Sequence, residues 1–271
     1  NTACTSMTDV LLVDEKAAIE YDPDGLVSHE LAHQWFGDYV TCADWSQAWL
    51  NEAWATFMET VWWQHDRGQT EAVWYHYLQA KSYLEEDGGR YRRPMVSYMF
   101  REPLDVFDRH LYEKGSCIMS TLRHELGEEA FWAATKHYLQ QNAYGAVYTR
   151  DFQRAFEEST GRNLGRFFAQ WIYGAGHPEL AVTLSESDGM LTIKVAQKQK
   201  GEETAKAFAF NFNISIINKD KTEVCHTLKV TDRNHTFAVP AGDAVSHVRV
   251  DPFFKFLSTM TISAPRAWLL Q

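Results

Sequence analysis

Apolar positions along the chain follow two regimes, and the change comes near residue 178. Before it they recur at helical spacing. In the run QAWLNEAWATFMETVWWQ, Trp49, Ala53, Phe57 and Val61 form one row and Leu50, Trp54, Met58 and Trp62 an adjoining one, so a broad face of a helix is apolar. The same spacing predicts helices over 71–86, 110–126, 128–141, 149–159 and 163–173, with Thr149 and Asn163 as caps of the last two. After GAGHPEL the pattern turns alternating and β-branched, in LAVTLSE, MLTIKVAQ, FNFNISIIN, HTLKV and HVRVDP. Ser187-Asp188-Gly189 and Asn218-Lys219-Asp220-Lys221 separate these runs as turns, which predicts a meander of short strands. The fold class is α+β and multi-domain: a mainly helical domain over 1–178, a small antiparallel β-sandwich over 179–258, and a linker or tail over 259–271.

Composition narrows the function. A chain of 271 residues, 45% hydrophobic and 14% aromatic, has ample material for a buried core. The six tryptophans between 45 and 74 are expected in that core rather than in a substrate pocket. A net charge of −10 argues against nucleic-acid binding, which needs clustered Lys and Arg. No stretch approaches the ~20 apolar residues of a membrane span. The chain opens on Asn1 rather than Met and carries no signal peptide, so it reads as a piece of a longer precursor. Cys4, Cys42, Cys117 and Cys225 are far apart and form no C-x-x-C pair, which fits neither a zinc knuckle nor a disulfide scaffold. Scattered thiols favour a reducing, cytoplasmic setting over a periplasmic or extracellular one.

The stretch SHELAHQWFG carries the candidate chemistry. Four residues on a helix advance ~400°, so His29 and His33 project from one face and can share a divalent ion. Two such histidines on an exposed helix are equally compatible with no metal at all. A catalytic zinc wants a third protein ligand, and Glu52, in WLNEAWA eighteen residues beyond His33, is the candidate. A carboxylate on so apolar a helix would be costly to bury unless paired or metal-bound. Glu30 lies ~100° round the helix from His29 and suits a general base that takes a proton from the attacking water and hands it to the leaving amine. Glu59, seven beyond Glu52 on the same face, is either a hydrogen-bond acceptor for a liganding imidazole or a surface glutamate. His124-Glu125 begins a similar string, but position 128 is Glu, so it is a decoy.

H-E-x-x-H, eighteen residues, then N-E-A resembles the zinc aminopeptidases of the aminopeptidase N type, a branch of the gluzincin metallopeptidases. WFGDYVT after the second histidine, YEKG at 112–115 and QWIYGAGHPEL before the β-rich half are similar to further segments of that family in the same order. The resemblance covers most of residues 1–180. It implies a thermolysin-like catalytic domain and one zinc per chain, held by His29, His33 and Glu52. It also implies Glu30 as general base, Tyr112 as hydrogen-bond donor to the oxyanion, and peptides with a free N-terminus as substrates. In that family a G-x-M-E-N motif precedes the first zinc-binding histidine by about thirty residues, and its Glu binds the substrate α-amine. Asn1, twenty-eight residues before His29, reads as the last residue of that motif and as a substrate-binding position.

Two other functions share these features. A zinc endopeptidase or another hydrolase would use the same metal machinery. A non-catalytic domain braced by zinc would instead want four protein ligands and have no use for Glu30. Oligomeric state and substrate side-chain preference leave no mark in the sequence.

Overall fold

The computed structural model describes residues 4–241 and 245–269. Two 3-10 turns precede α1 (Asp24–Ala32), whose start is set by the Asp22 carboxylate accepting from the Asp24 N–H at 3.0 Å. There follow β1 (Thr41–Cys42), α2 (Trp49–Arg67), α3 (Gln69–Gly89), α4 (Glu113–Leu126), α5 (Glu128–Gln141), β2 (Ala146–Val147), α6 (Thr149–Thr160) and α7 (Gly165–Trp171). The expected helices are present, extended by up to three residues or trimmed at their ends.

Helix α2 is the centre of this half. Trp49, Leu50, Ala53, Trp54 and Phe57 are fully buried, and Trp54 stacks on Phe36 at 4.2 Å between ring centroids. The tryptophans divide, however: Trp45, Trp62 and Trp74 are exposed, Trp45 and Trp74 because they lie outside α2 and Trp62 because it stands at the far end of its row, beyond the buried stretch that ends at Phe57. Thr149 is not a cap either. It is the first helical residue of α6, and its hydroxyl accepts from Trp49 Nε1 at 2.8 Å and donates to Gln47 at 2.7 Å. The Asp151 carboxylate serves that helix end instead, accepting from the Tyr148 N–H. Asn163 does accept from the Gly165 N–H at 3.0 Å.

The C-terminal half holds two sheets. One has the order β7 (Asn234–Pro240), β4 (Met190–Gln197), β3 (Glu179–Ser187), β9 (Thr259–Ser263); the other has β6 (Glu223–Val230), β5 (Phe210–Asn218), β8 (Val245–Val250). Leu180, Val182, Leu184, Leu191, Ile193 and Val195 from the first and Phe210, Phe212, Ile214 and Ile216 from the second join one buried cluster. Asp188 and Gly189 both take positive φ, the backbone that a tight hairpin between β3 and β4 requires.

Two expectations are corrected here. The sandwich is not wholly antiparallel: β9 runs parallel to β3, in register from Glu179↔Thr259 to Thr183↔Ser263. That strand lies in the segment read as linker or tail, where too few alternating residues stand between polar ones to signal a strand. Strand β7 was also missed, an edge strand with a single buried side chain, Val239. The two halves share one core, with Trp171 of α7 packed on Phe208 at 4.7 Å. Among the described residues no helix is long and apolar enough to cross a membrane. A one-turn α-helix, α8 (Arg266–Leu269), ends the described chain.

Candidate metal centre

Helix α1 lies against α2 and turns sharply at its end, where His33 is the capping residue. His29 Nε2 and His33 Nε2 converge to 3.2 Å. From α2, Glu52 Oε2 reaches 3.4 Å from the first and 3.3 Å from the second. Three donors thus mark a nearly equilateral triangle. Zinc bonds of about 2.0–2.1 Å in tetrahedral array give ligand–ligand edges of about 3.3–3.4 Å, so these donors fit the ion in spacing and in chemistry.

The far nitrogen of each imidazole is also engaged. His33 Nδ1 lies 2.9 Å from the Phe36 carbonyl and His29 Nδ1 lies 2.6 Å from Glu59 Oε1, which leaves both Nε2 lone pairs for the triangle. The turn after His33 depends on Gly37, at φ +140°, where a Cβ would press on His33 Nδ1 at 3.3 Å. Without metal the cluster is strongly coupled. Burial opposes charge on His29, but hydrogen bonds to Glu52 and Glu59 outweigh it and raise its pKa to about 9. Burial likewise opposes charge on Glu52, yet the two imidazoles hold its carboxyl well below the usual range. A divalent ion would take the place of the protons these imidazoles share with Glu52.

Glu30 and Tyr112 border the same centre. Glu30 lines a cleft of about 250 Å³ together with His33, Asn51 and Glu52. Among the described residues its carboxylate makes no hydrogen bond or ion pair. Tyr112 stands immediately before α4, its ring 6.1 Å from that of His29. Burial, followed by the carboxylates of Glu52, Glu113 and Glu30, pushes its phenol well above the usual range, so the hydroxyl keeps its proton and remains a donor. Tyr112 is brought here by a close crossing of α4 and α2 at Gly115, where a Cβ would overlap Ala53 Cβ and lie 3.0 Å from its Cα.

The sequence-derived residues His29, Glu30, His33, Glu52, Glu59 and Tyr112 are therefore neighbours in space, whereas Asn1 lies outside the described residues. The decoy His124 faces Asn213 of β5 instead, at 3.4 Å. A second acidic group, Glu86, Asp108 and His110, already has its cation: Arg93 donates to Asp108 at 2.6 and 2.7 Å. Sequence reasoning missed the Phe36 carbonyl, a backbone atom without a sequence signature. It also missed Tyr75 and Gln79 of α3, which contact Glu59 from a helix that supplies no ligand.

The family model described as peptidase family M1 domain matches residues 1–171, and the chain belongs to that family. The chain is 33% identical over 201 residues to aminopeptidase N of Lactococcus lactis subsp. lactis, a match covering 70% of this chain and 23% of that protein. It is 30% identical over 221 residues to the alanine/arginine aminopeptidase of Saccharomyces cerevisiae, covering 78% and 25% respectively. In fold it resembles Legionella pneumophila aminopeptidase A, solved in complex with aspartic acid, with a TM-score of 0.73 and 22% identity over 88% of this chain and 26% of the other. The chain spans about a quarter of the length of the curated relatives it matches.

Proposed function

We propose that the chain carries the catalytic centre of a zinc-dependent aminopeptidase that hydrolyses the first bond of peptides with a free N-terminus. The observation that carries this reading is the triangle of His29, His33 and Glu52 with the Glu30 carboxylate in the adjoining cleft. Residues 1–178 would form the catalytic domain and 179–258 the β-domain, with β9 added to it.

His29, His33 and Glu52 would hold the zinc, three protein ligands being the set that leaves a position open for chemistry. Bound there, zinc supplies a Lewis acid that makes water a better nucleophile and offsets negative charge on the substrate oxygen. Glu30 accepts the proton of the attacking water and returns it to the departing amine. The Tyr112 hydroxyl donates to the oxyanion that develops on the scissile carbonyl. Glu59 keeps the Nδ1 proton on His29 and so presents Nε2 as the ligand atom. The four cysteines are free thiols, which supports a reducing compartment such as the cytoplasm.

The names of the relatives supply the exopeptidase part of the proposal. Its test is turnover of an aminoacyl anilide by the zinc-loaded protein, beside the N-acetylated form of the same compound. Cleavage of the free amine alone is expected; equal cleavage of both would point to an endopeptidase.

A further inference from the structure

Helix α3 contributes none of the residues assigned so far, yet two of its side chains reach the metal centre from behind. Tyr75 and Gln79 stand four apart and so share a face of the helix. Tyr75 donates its hydroxyl to Glu59 Oε2 at 2.5 Å, and Gln79 Nε2 donates to the same oxygen at 3.2 Å. The other oxygen of Glu59 is the one 2.6 Å from His29 Nδ1.

Gln79 is itself held on all sides. Its Oε1 accepts from Ser116 Oγ of α4 at 2.9 Å and from Thr60 Oγ1 of α2 at 3.2 Å. Its Nε2 also donates to the Thr56 carbonyl at 3.3 Å. The buried amide thus uses two donors and two acceptor positions, its full capacity. Turning it over would set Oε1 against both the Glu59 carboxylate and the Thr56 carbonyl, so only one orientation serves. Tyr75 is fixed as firmly: its ring stacks on Trp63 at 4.9 Å, and its hydroxyl lies over Gly25, where a Cβ would come within 2.9 Å. Gly25 precedes His29 by one helical turn, so the bare backbone there admits the hydroxyl beneath α1.

We propose that Tyr75 and Gln79 are positioning residues for the metal centre, which lock the Glu59 carboxylate and through it the tautomer and ring orientation of His29. This rests on the reading of His29 as a zinc ligand. A carboxylate held by one donor can swing about its own side-chain torsions; three donors on two oxygens leave it a single pose. Outer partners of metal-bound histidines typically contribute 10–100-fold in metal affinity or activity.

Tyr75→Phe removes one hydroxyl and keeps the stack on Trp63. Gln79→Glu keeps the acceptors for Ser116 and Thr60 but replaces the donor facing Glu59 with an oxygen. Tyr77→Phe, on an exposed tyrosine of the same helix, is the control. The measurements are zinc affinity by chelator competition, the visible spectrum of the cobalt(II) protein, and the far-ultraviolet circular dichroism of each variant. Tyr75→Phe and Gln79→Glu are expected to bind zinc about 10–100-fold more weakly and to shift the cobalt bands, with circular dichroism unchanged and Tyr77→Phe like wild type. Affinities within twofold of wild type and an unmoved cobalt spectrum would overturn the proposal. So would a loss of affinity that only accompanies loss of helix signal. His33→Ala separates the two readings: if wild type and His33→Ala bind zinc equally, the metal centre itself is misassigned, whereas if only His33→Ala loses the ion, the result for α3 stands alone.

Discussion

Gly115 of α4 rests on Ala53 of α2 with no room for a side chain between them, and Ala53 is the residue after Glu52. Tyr112 and Glu52 are thereby set relative to each other by a backbone contact three residues from the first and one from the second. Gly115→Ala is expected to destabilise the fold by about 1–3 kcal/mol, the usual range for overpacking. Because the strain falls on the helix that carries Tyr112, turnover should fall further than zinc content. Urea unfolding together with metal analysis checks this; a variant of normal stability and turnover would mean that α4 can shift without consequence.

Tyr112→Phe tests the donor directly. The phenyl ring keeps its place beside His29 and loses only the hydroxyl. A fall of about 10²–10³ in kcat is expected, with zinc content unchanged, as for removal of one oxyanion donor. Near-normal kcat would return Tyr112 to a packing role.

Much of this site is legible in the sequence because it is built from local spacing. His29, Glu30 and His33 lie within two helical turns, and Glu52 stands out as a carboxylate on an apolar helix. Tyr112 was reachable only through resemblance, since a lone tyrosine carries no chemical signal. Tyr75 and Gln79 were not legible at all: their role depends on how α3 crosses behind Glu59, a tertiary fact. The same limit governs the fold. Long amphipathic helices announced themselves, but a buried Thr149 looked like a cap because Thr suits both positions. Strands β7 and β9 lie at the edges of their sheet, where one exposed face and few residues weaken the alternation.

The metal-free centre carries a pH signature. His29 has a folded pKa of about 9, against about 6.5 for an unperturbed histidine. Between these values the folded chain holds more protons than the unfolded one, so stability falls as pH rises. The contribution is fully present below pH ~6.5 and lost as pH passes about 9. Lys114 acts in the opposite sense: burial lowers its ammonium to about 7, so its contribution rises with pH above that value. The two are separated by comparing chelator-treated wild type with His29→Gln in urea from pH 6.5 to 9.5. The wild type is expected to lose stability relative to the variant across this range; parallel curves would mean that the proton on His29 is not held by Glu52 and Glu59.

Zinc uptake should release protons and weaken as pH falls, because the ion displaces protons held on His29 and His33. Near-unit stoichiometry is expected after dialysis against a weak chelator, and His33→Ala should lose most of the ion. Full occupancy in that variant would remove this triangle as the binding site.

Glu30 separates metal binding from hydrolysis most directly. It adjoins the triangle of His29, His33 and Glu52 without belonging to it, so Glu30→Gln leaves every proposed zinc donor in place while removing the group proposed to accept the proton of water. Metal content and hydrolysis of an aminoacyl anilide should be measured on the same zinc-loaded preparation. The expected result is wild-type zinc content with kcat/KM lower by about 10²–10⁴, the range of general acid–base catalysis; wild-type zinc content with near-normal hydrolysis would contradict it.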